Sequence, residues 1–150
     1  MDRIDLAMLA ILQTEGRISG ADLGRRVRLS QPAVSARLQR LERTGVITGY
    51  RALVDPARLG LNLHAVVRLR TTHAHLTEAI ALFDATAEIT QVYRLTGEDC
   101  FLVDIHAPDA RRLEEIVDRV ARFGPVTTSL VLREYPSKPI VPADGRSRRP

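Results

Sequence analysis

The first third of the chain alternates apolar and polar positions with helical spacing. Asp2 and Asp5 stand as N-cap and first-turn acid ahead of an apolar stretch, Leu6, Leu9 and Ala10, that runs out near Gly16. Ser19 and Asp22 have capping-box spacing, with aspartate in place of glutamate, and Leu23 and Val27 follow at i, i+4. After a tight "RL" connection Ser30 caps a third helix. Pro32 falls in its first turn, where it removes no intrahelical hydrogen bond, and Gly45 is placed to end it. On a helical wheel Val34, Leu38 and Leu41 lie within about 60° of one another. Ser35, Ala36, Gln39, Arg40 and Arg43 occupy the other side, so one face docks and the other is presented. "VITGYRALV" then reads as a strand, in the position of a wing.

Beyond the turn-rich "DPARLGLNLH" the apolar period changes from helical to mixed. "LHAVVRL" alternates as a strand, "LTEAIALFDAT" is helical, and "ITQVYRL" and "CFLVDIHA" read as paired strands. "DARRLEEIVDRVARFG" is a second helix with Asp109 as cap and Gly124 as stop, and "VTTSLVLREY" is a last strand. The order β-α-β-β-α-β is that of a ferredoxin-like split βαβ, with two helices on one face of a sheet. The expected fold class is therefore α+β: a winged helix-turn-helix over residues 1–54, a linker over 55–62, a ferredoxin-like domain over 63–135 and a basic, flexible tail over 136–150. The bare sheet face calls for a cover, most simply a second copy of the chain.

Composition narrows the classes. At 150 residues and 45% apolar content, one ordinary domain or two small ones can bury a core. No apolar run is long enough to span a membrane, and the N-terminal segment carries acids where a secretory leader is basic. A cytoplasmic protein without membrane association is expected. Cys100 is the single cysteine, so no intrachain disulfide forms, which suits a reducing compartment. Arginine replaces lysine almost throughout, a compositional bias that robs bare arginine counts of weight. Distribution says more: residues 1–58 hold ten arginines against six acids, residues 59–135 hold eight against eleven, and the last fifteen residues are basic again. A basic front end points to a polyanionic partner for that part alone.

A short helix, a tight turn and a capped helix with a polar face are the parts of a helix-turn-helix whose second member enters the DNA major groove. Ala33, Ser35 and Ala36 are small enough to bring backbone close to base edges, and Gln31, Gln39 and Arg40 carry donors and acceptors that read them. Arg43, one turn on, is placed for a phosphate, and Ser30 belongs to the same surface. Arg37 lies at the margin of the apolar face, where it packs on the neighbouring helix or reaches a phosphate. The partner expected is double-stranded DNA.

The segment "DRIDLAMLAILQTEGRISGADLGRRVRLSQPAVSARLQRLERTGVITGYRALVDPARLG" resembles the DNA-binding half of the Lrp/AsnC, or feast/famine, transcription regulators, and "VYRLTGEDCFLVDIHAPD" with "VTTSLVLREY" resembles their effector-binding half. The resemblance implies sheet-to-sheet homodimers that assemble to octamers, and a small-molecule effector, usually an amino acid, bound at the contact between dimers. Carried over to this chain, it places the effector at Thr96, Gly97, Glu98, Asp99 and Cys100, with Thr128 of the last strand nearby. Many members have an aromatic residue and then an aspartate after the "GE" pair, whereas here Asp99 comes a place earlier and Cys100 follows. By chemistry alone Glu98 and Asp99 read as an ordinary polar hairpin turn and Cys100 as a buried thiol.

Cys100, Asp104 and His106 share a strand face, but six residues at about 3.3 Å each separate Cys100 from His106, too far for a nucleophile and its base. His73 and His75, joined by His64 or His106, would make a metal-responsive regulator, and sirohaem decarboxylases resemble Lrp/AsnC proteins in fold and place histidines near a tetrapyrrole. The intact polar face from Ser35 to Arg43 favours a regulator without enzymatic activity, catalytic residues or cofactor.

Overall fold

A computed structural model describes residues 1–142, and the part of the expected basic tail from residue 143 to 150 lies outside the described residues. The described residues divide into two compact units, Met1–Leu53 with residues 136–142, and Val54–Tyr135.

In the first unit α1 (Arg3–Leu12), α2 (Gly20–Val27) and α3 (Gln31–Arg43) surround Met8, Leu23 and Val34, with Ile4, Ile11, Leu12, Ile18, Val27, Leu29 and Leu38 packed around them. The caps form as the side-chain chemistry dictates. Asp2 accepts from the backbone of Ile4 and Asp5 while Asp5 accepts from the Asp2 N–H, and the Ser19 and Ser30 hydroxyls cap the next two helices. Gly45 follows the last helix with φ 71°. The inward face of α1 differs from expectation: Ile4, Met8 and Ile11 form the stripe at i, i+4, i+7, Leu6 and Leu9 are half-buried and Ala10 is exposed. Asp5, expected only as a first-turn acid, is fully buried.

The expected wing strand is corrected. Residues 46–54 form no strand, and Leu53 and Val54 are exposed. Alternating apolar side chains make a strand only where a ladder partner exists, and the described residues of this unit offer none. Within the tail, Ile140 and the Gln13 side-chain amide exchange two hydrogen bonds, of 2.7 and 3.0 Å.

The second unit is a four-stranded antiparallel sheet of β1 (Leu63–Leu69), β2 (Ile89–Arg94), β3 (Phe101–Ala107) and β4 (Val126–Leu130) in the order β2-β3-β1-β4, with α4 (Leu76–Asp84) and α5 (Ala110–Ala121). Alternation sorts the strands: Ala65, Val67, Leu69, Phe101, Val103, Ile105 and Ala107 bury against Ala79 and Phe83 of α4 and Leu113, Ile116 and Val120 of α5. The expected order and the two-helix face are both present. β4 stops five residues before Tyr135, near the start of β1: its last ladder pair is Ala65 with Leu130, and the Val131 N–H still donates to the His64 carbonyl. The face away from the helices carries His64, Val66, Arg68, Leu102, Asp104 and His106, with Tyr93 of β2 and Thr127 of β4 opposite Leu102 and Arg68.

Candidate nucleic-acid interface and effector turn

The joint between α2 and α3 is set by a close approach. Arg28 takes a left-handed conformation (φ 58°), and the Leu29 N–H donates to the Gly24 carbonyl at 2.9 Å. A Cβ on Gly24 would lie 2.6 Å from the Leu29 carbonyl oxygen and 3.4 Å from Val34 Cγ2, so only glycine admits this turn. Its role is not visible in the residue pattern, where it reads merely as an unfavourable helix residue.

Beyond the joint, α3 buries Val34 and Leu41 and leaves Gln31, Ser35, Ala36, Gln39 and Arg43 exposed. Ala33 is half-buried, and the Ser30 hydroxyl accepts from the Ala33 N–H as a helix cap. Arg40 is engaged within the unit. Expected at base edges, it donates through Nη2 to both Asp5 oxygens at 2.6 and 2.7 Å, while Arg37 Nη1 donates to Asp5 at 2.8 Å and to Asp2 at 2.6 Å. The buried carboxylate, which has no access to water, draws both guanidinium groups onto α1. Burial would raise the Asp5 carboxyl; the Asp2 N–H, the Arg37 hydrogen bond and the Arg40 charge outweigh it and hold it below its ordinary value. The Asp5 N–H and Arg37 bring Asp2 down to about 2. Arg37 thus takes the first of its two expected roles, packing on the neighbouring helix. Glu42 accepts from the Tyr50 hydroxyl at 2.9 Å.

In the second unit the β2–β3 turn brings Thr96, Gly97, Glu98 and Asp99 together, with Gly97 at φ 103°. Both carboxylates face arginines of β1 and its continuation: Glu98 accepts a charged hydrogen bond from Arg70, and Asp99 lies 3.7 Å from Arg68. Cys100 is half-buried rather than buried; its thiol donates to the Thr71 carbonyl at 3.1 Å, and the Thr71 N–H and Arg94 hold its pKa below the usual thiol value. Thr128 falls opposite buried Val67, on the helix side of the sheet, while Thr127 lies opposite Arg68 and shares the face of the arginine that Asp99 approaches. A one-residue shift along a strand exchanges the two faces, and the sequence pattern of an edge strand of threonines does not mark which is which.

Comparison with known proteins covers both units. Residues 1–48 match a winged helix-turn-helix DNA-binding family and residues 64–141 the Lrp/AsnC ligand binding domain. The HTH-type transcriptional regulator LrpC of Bacillus subtilis is 28% identical, the match covering 92% of this chain and 96% of that protein. The DNA-binding transcriptional activator DecR of Escherichia coli is 32% identical, with 89% and 93% covered. Among solved structures, a transcriptional regulator of Neisseria meningitidis in complex with L-methionine superposes with a TM-score of 0.86 at 27% identity, covering 97% of this chain and 98% of that one.

Proposed function

The chain belongs to the Lrp/AsnC family of transcriptional regulators, and from that membership we propose that it is a cytoplasmic, homodimeric regulator that reads operator DNA through Gln31, Ser35, Gln39 and Arg43 of α3. The observation that carries this reading is the presented face of α3: four polar side chains exposed on a helix whose opposite side is locked into a core. Ser30 and Ala33 shape the start of that surface, Ala36 keeps it low enough for close approach, and Arg37 with Arg40 fixes the helix on α1 through Asp5. The division of labour is physical, since a guanidinium already engaged by a buried carboxylate is a poor donor to a base edge. A two-fold dimer presents two such helices and selects an inverted repeat with half-sites on one face of the duplex. The helix-free sheet face is the surface on which we place the second copy, and dimers of this kind assemble further, to octamers in the family's common arrangement.

Gln39→Ala is expected to weaken binding to the selected operator roughly tenfold, about 1.4 kcal/mol, with the thermal midpoint unchanged. Fluorescence anisotropy on operator and scrambled duplexes checks it. Equal affinity of parent and variant for the operator would take Gln39 out of the interface. Operator affinity is also expected to fall steeply between 50 and 200 mM salt as condensed counterions return.

The second part of the proposal is an amino-acid effector at the turn of Thr96, Gly97, Glu98, Asp99 and Cys100. A zwitterion carries both charges that this turn already balances: its ammonium can exchange for an arginine at Asp99 or Glu98, and its carboxylate for a turn acid at Arg68 or Arg70. Thr127 supplies a hydroxyl on the Arg68 side, a place expected for Thr128. The methionine bound by the Neisseria meningitidis regulator supports this ligand class. An effector acts only through its differential affinity for two assembly states. Asp99→Ala is expected to abolish any heat of amino-acid binding in calorimetry while effector-free DNA binding stays within twofold; an unchanged binding heat would place the pocket elsewhere.

A further inference from the structure

We propose that His64, His106 and Glu134 form a binding site for a divalent transition-metal ion on the helix-free face of the sheet. The three side chains come from β1, β3 and the segment that follows β4, and one ligand atom from each lies within 4.8 Å of the others. His64 and His106 are directly paired across the ladder, which stacks their rings with centroids 4.2 Å apart and planes 15° from parallel.

The second nitrogen of each ring is already held. Asp104 lies 3.1 Å from His64 Nε2, and the Thr90 hydroxyl, at the bulge of β2, lies 3.0 Å from His106 Nδ1. With Nε2–H donated to Asp104, the Nδ1 of His64 carries a lone pair; that atom is buried and makes no hydrogen bond, yet Glu134 Oε1 stands 2.7 Å from it. With Nδ1–H donated to Thr90, the Nε2 of His106 is likewise a lone pair, 3.9 Å from the same oxygen. In these tautomers three acceptors converge with no donor between them. A proton satisfies one of them; one cation satisfies all three.

The donor set names the class of ion. Two imidazole nitrogens and one carboxylate oxygen suit zinc, cobalt or nickel, and three protein ligands leave a fourth position open. Bonds of about 2.0–2.1 Å put tetrahedral ligand atoms roughly 3.3 Å apart, so the stacked rings must tilt towards each other as the ion enters. A carboxylate on the far nitrogen of a ligating histidine is the usual outer partner, and it fixes the ring and raises its basicity. All three ligands come from one chain, on the sheet face where the second copy is placed, and the site does not depend on the DNA or amino-acid reading. Its occupation would pin the segment carrying Glu134 to the sheet. His73 and His75, expected to join His64 or His106, belong instead to a 3₁₀ turn before α4 and contribute no ligand to this group.

The test is zinc titration of the chelator-treated full-length protein by calorimetry, with cobalt as an absorbing probe. One saturable equivalent per chain is expected, with cobalt ligand-field bands in the visible. His64→Gln and His106→Gln should abolish uptake and Asp104→Asn should weaken it 10–100-fold. Glu134 lies on an exposed segment outside the sheet, so Glu134→Gln leaves the fold intact and should weaken uptake at least tenfold. The double variant H73Q/H75Q should bind as the parent does. Absence of saturable uptake, uptake that survives Glu134→Gln undiminished, or uptake lost in H73Q/H75Q would overturn the proposal.

Discussion

Asp5→Ala is expected to destabilise the helical unit by about 2–3 kcal/mol and to weaken operator binding with it. Asp5 has no solvent access and accepts from the Asp2 N–H, Arg37 and Arg40, so its removal strips half of the capping box and the bonds of both arginines to it, leaving only Arg37 to Asp2 between α1 and α3. The loss stays below that of a fully buried ion pair because Arg37 and Arg40, at 26% and 45% side-chain exposure, can turn to water. The same carboxylate sets a pH dependence. Its folded pKa lies below the unfolded value, so its stabilisation is complete above the ordinary carboxylate range and is lost as pH falls through the lowered folded value. Urea unfolding at pH 7 and pH 3 checks both statements: parent and variant should differ clearly at pH 7 and converge towards pH 3. An Asp5→Ala protein with the parent's midpoint at pH 7 would show that α3 is held by its apolar face alone.

The second large effect is expected at the helix-turn-helix joint. Alanine at position 24 gains about 1 kcal/mol of helix propensity over glycine. Against that, its Cβ would stand 2.6 Å from the Leu29 carbonyl oxygen, a backbone atom that cannot swing aside without reopening the turn through Arg28. Overpacking of this kind costs about 1–3 kcal/mol, more where backbone must move. The clash wins, and Gly24→Ala should lower stability by about 1–2 kcal/mol and reduce operator affinity by more than tenfold, because the displaced turn re-aims α3. Thermal unfolding with anisotropy on the same samples separates the two effects. A stabilised protein with intact DNA binding would mean that the joint relaxes freely.

What was legible in the sequence was local. Asp2, Ser19, Ser30 and Asp109 announce their helices because a side-chain acceptor one residue before an amphipathic run meets an otherwise unpaired N–H. β1 and β3 were legible because one face is fully buried and the other is not, which writes a period of two into seven residues. What the sequence left open depends on partners distant in the chain. Residues 46–54 alternate like a strand and find no ladder. Arg40 has the composition of a base reader, but its direction is decided by a carboxylate 35 positions away. Thr127 and Thr128 differ only by register with β1, and the convergence of His64, His106 and Glu134 exists only once three segments are side by side. The polar side of α3 was legible; which of its arginines are engaged by α1 was not.

The most direct test of the central claim is the affinity of the purified protein for genomic fragments that it has itself selected, measured against an unrelated duplex of equal length at physiological salt. The account predicts selected sites built as inverted repeats on one face of the duplex, preferred by about a thousandfold or more. Equal affinity for selected and unrelated duplexes, at any salt concentration, would contradict it.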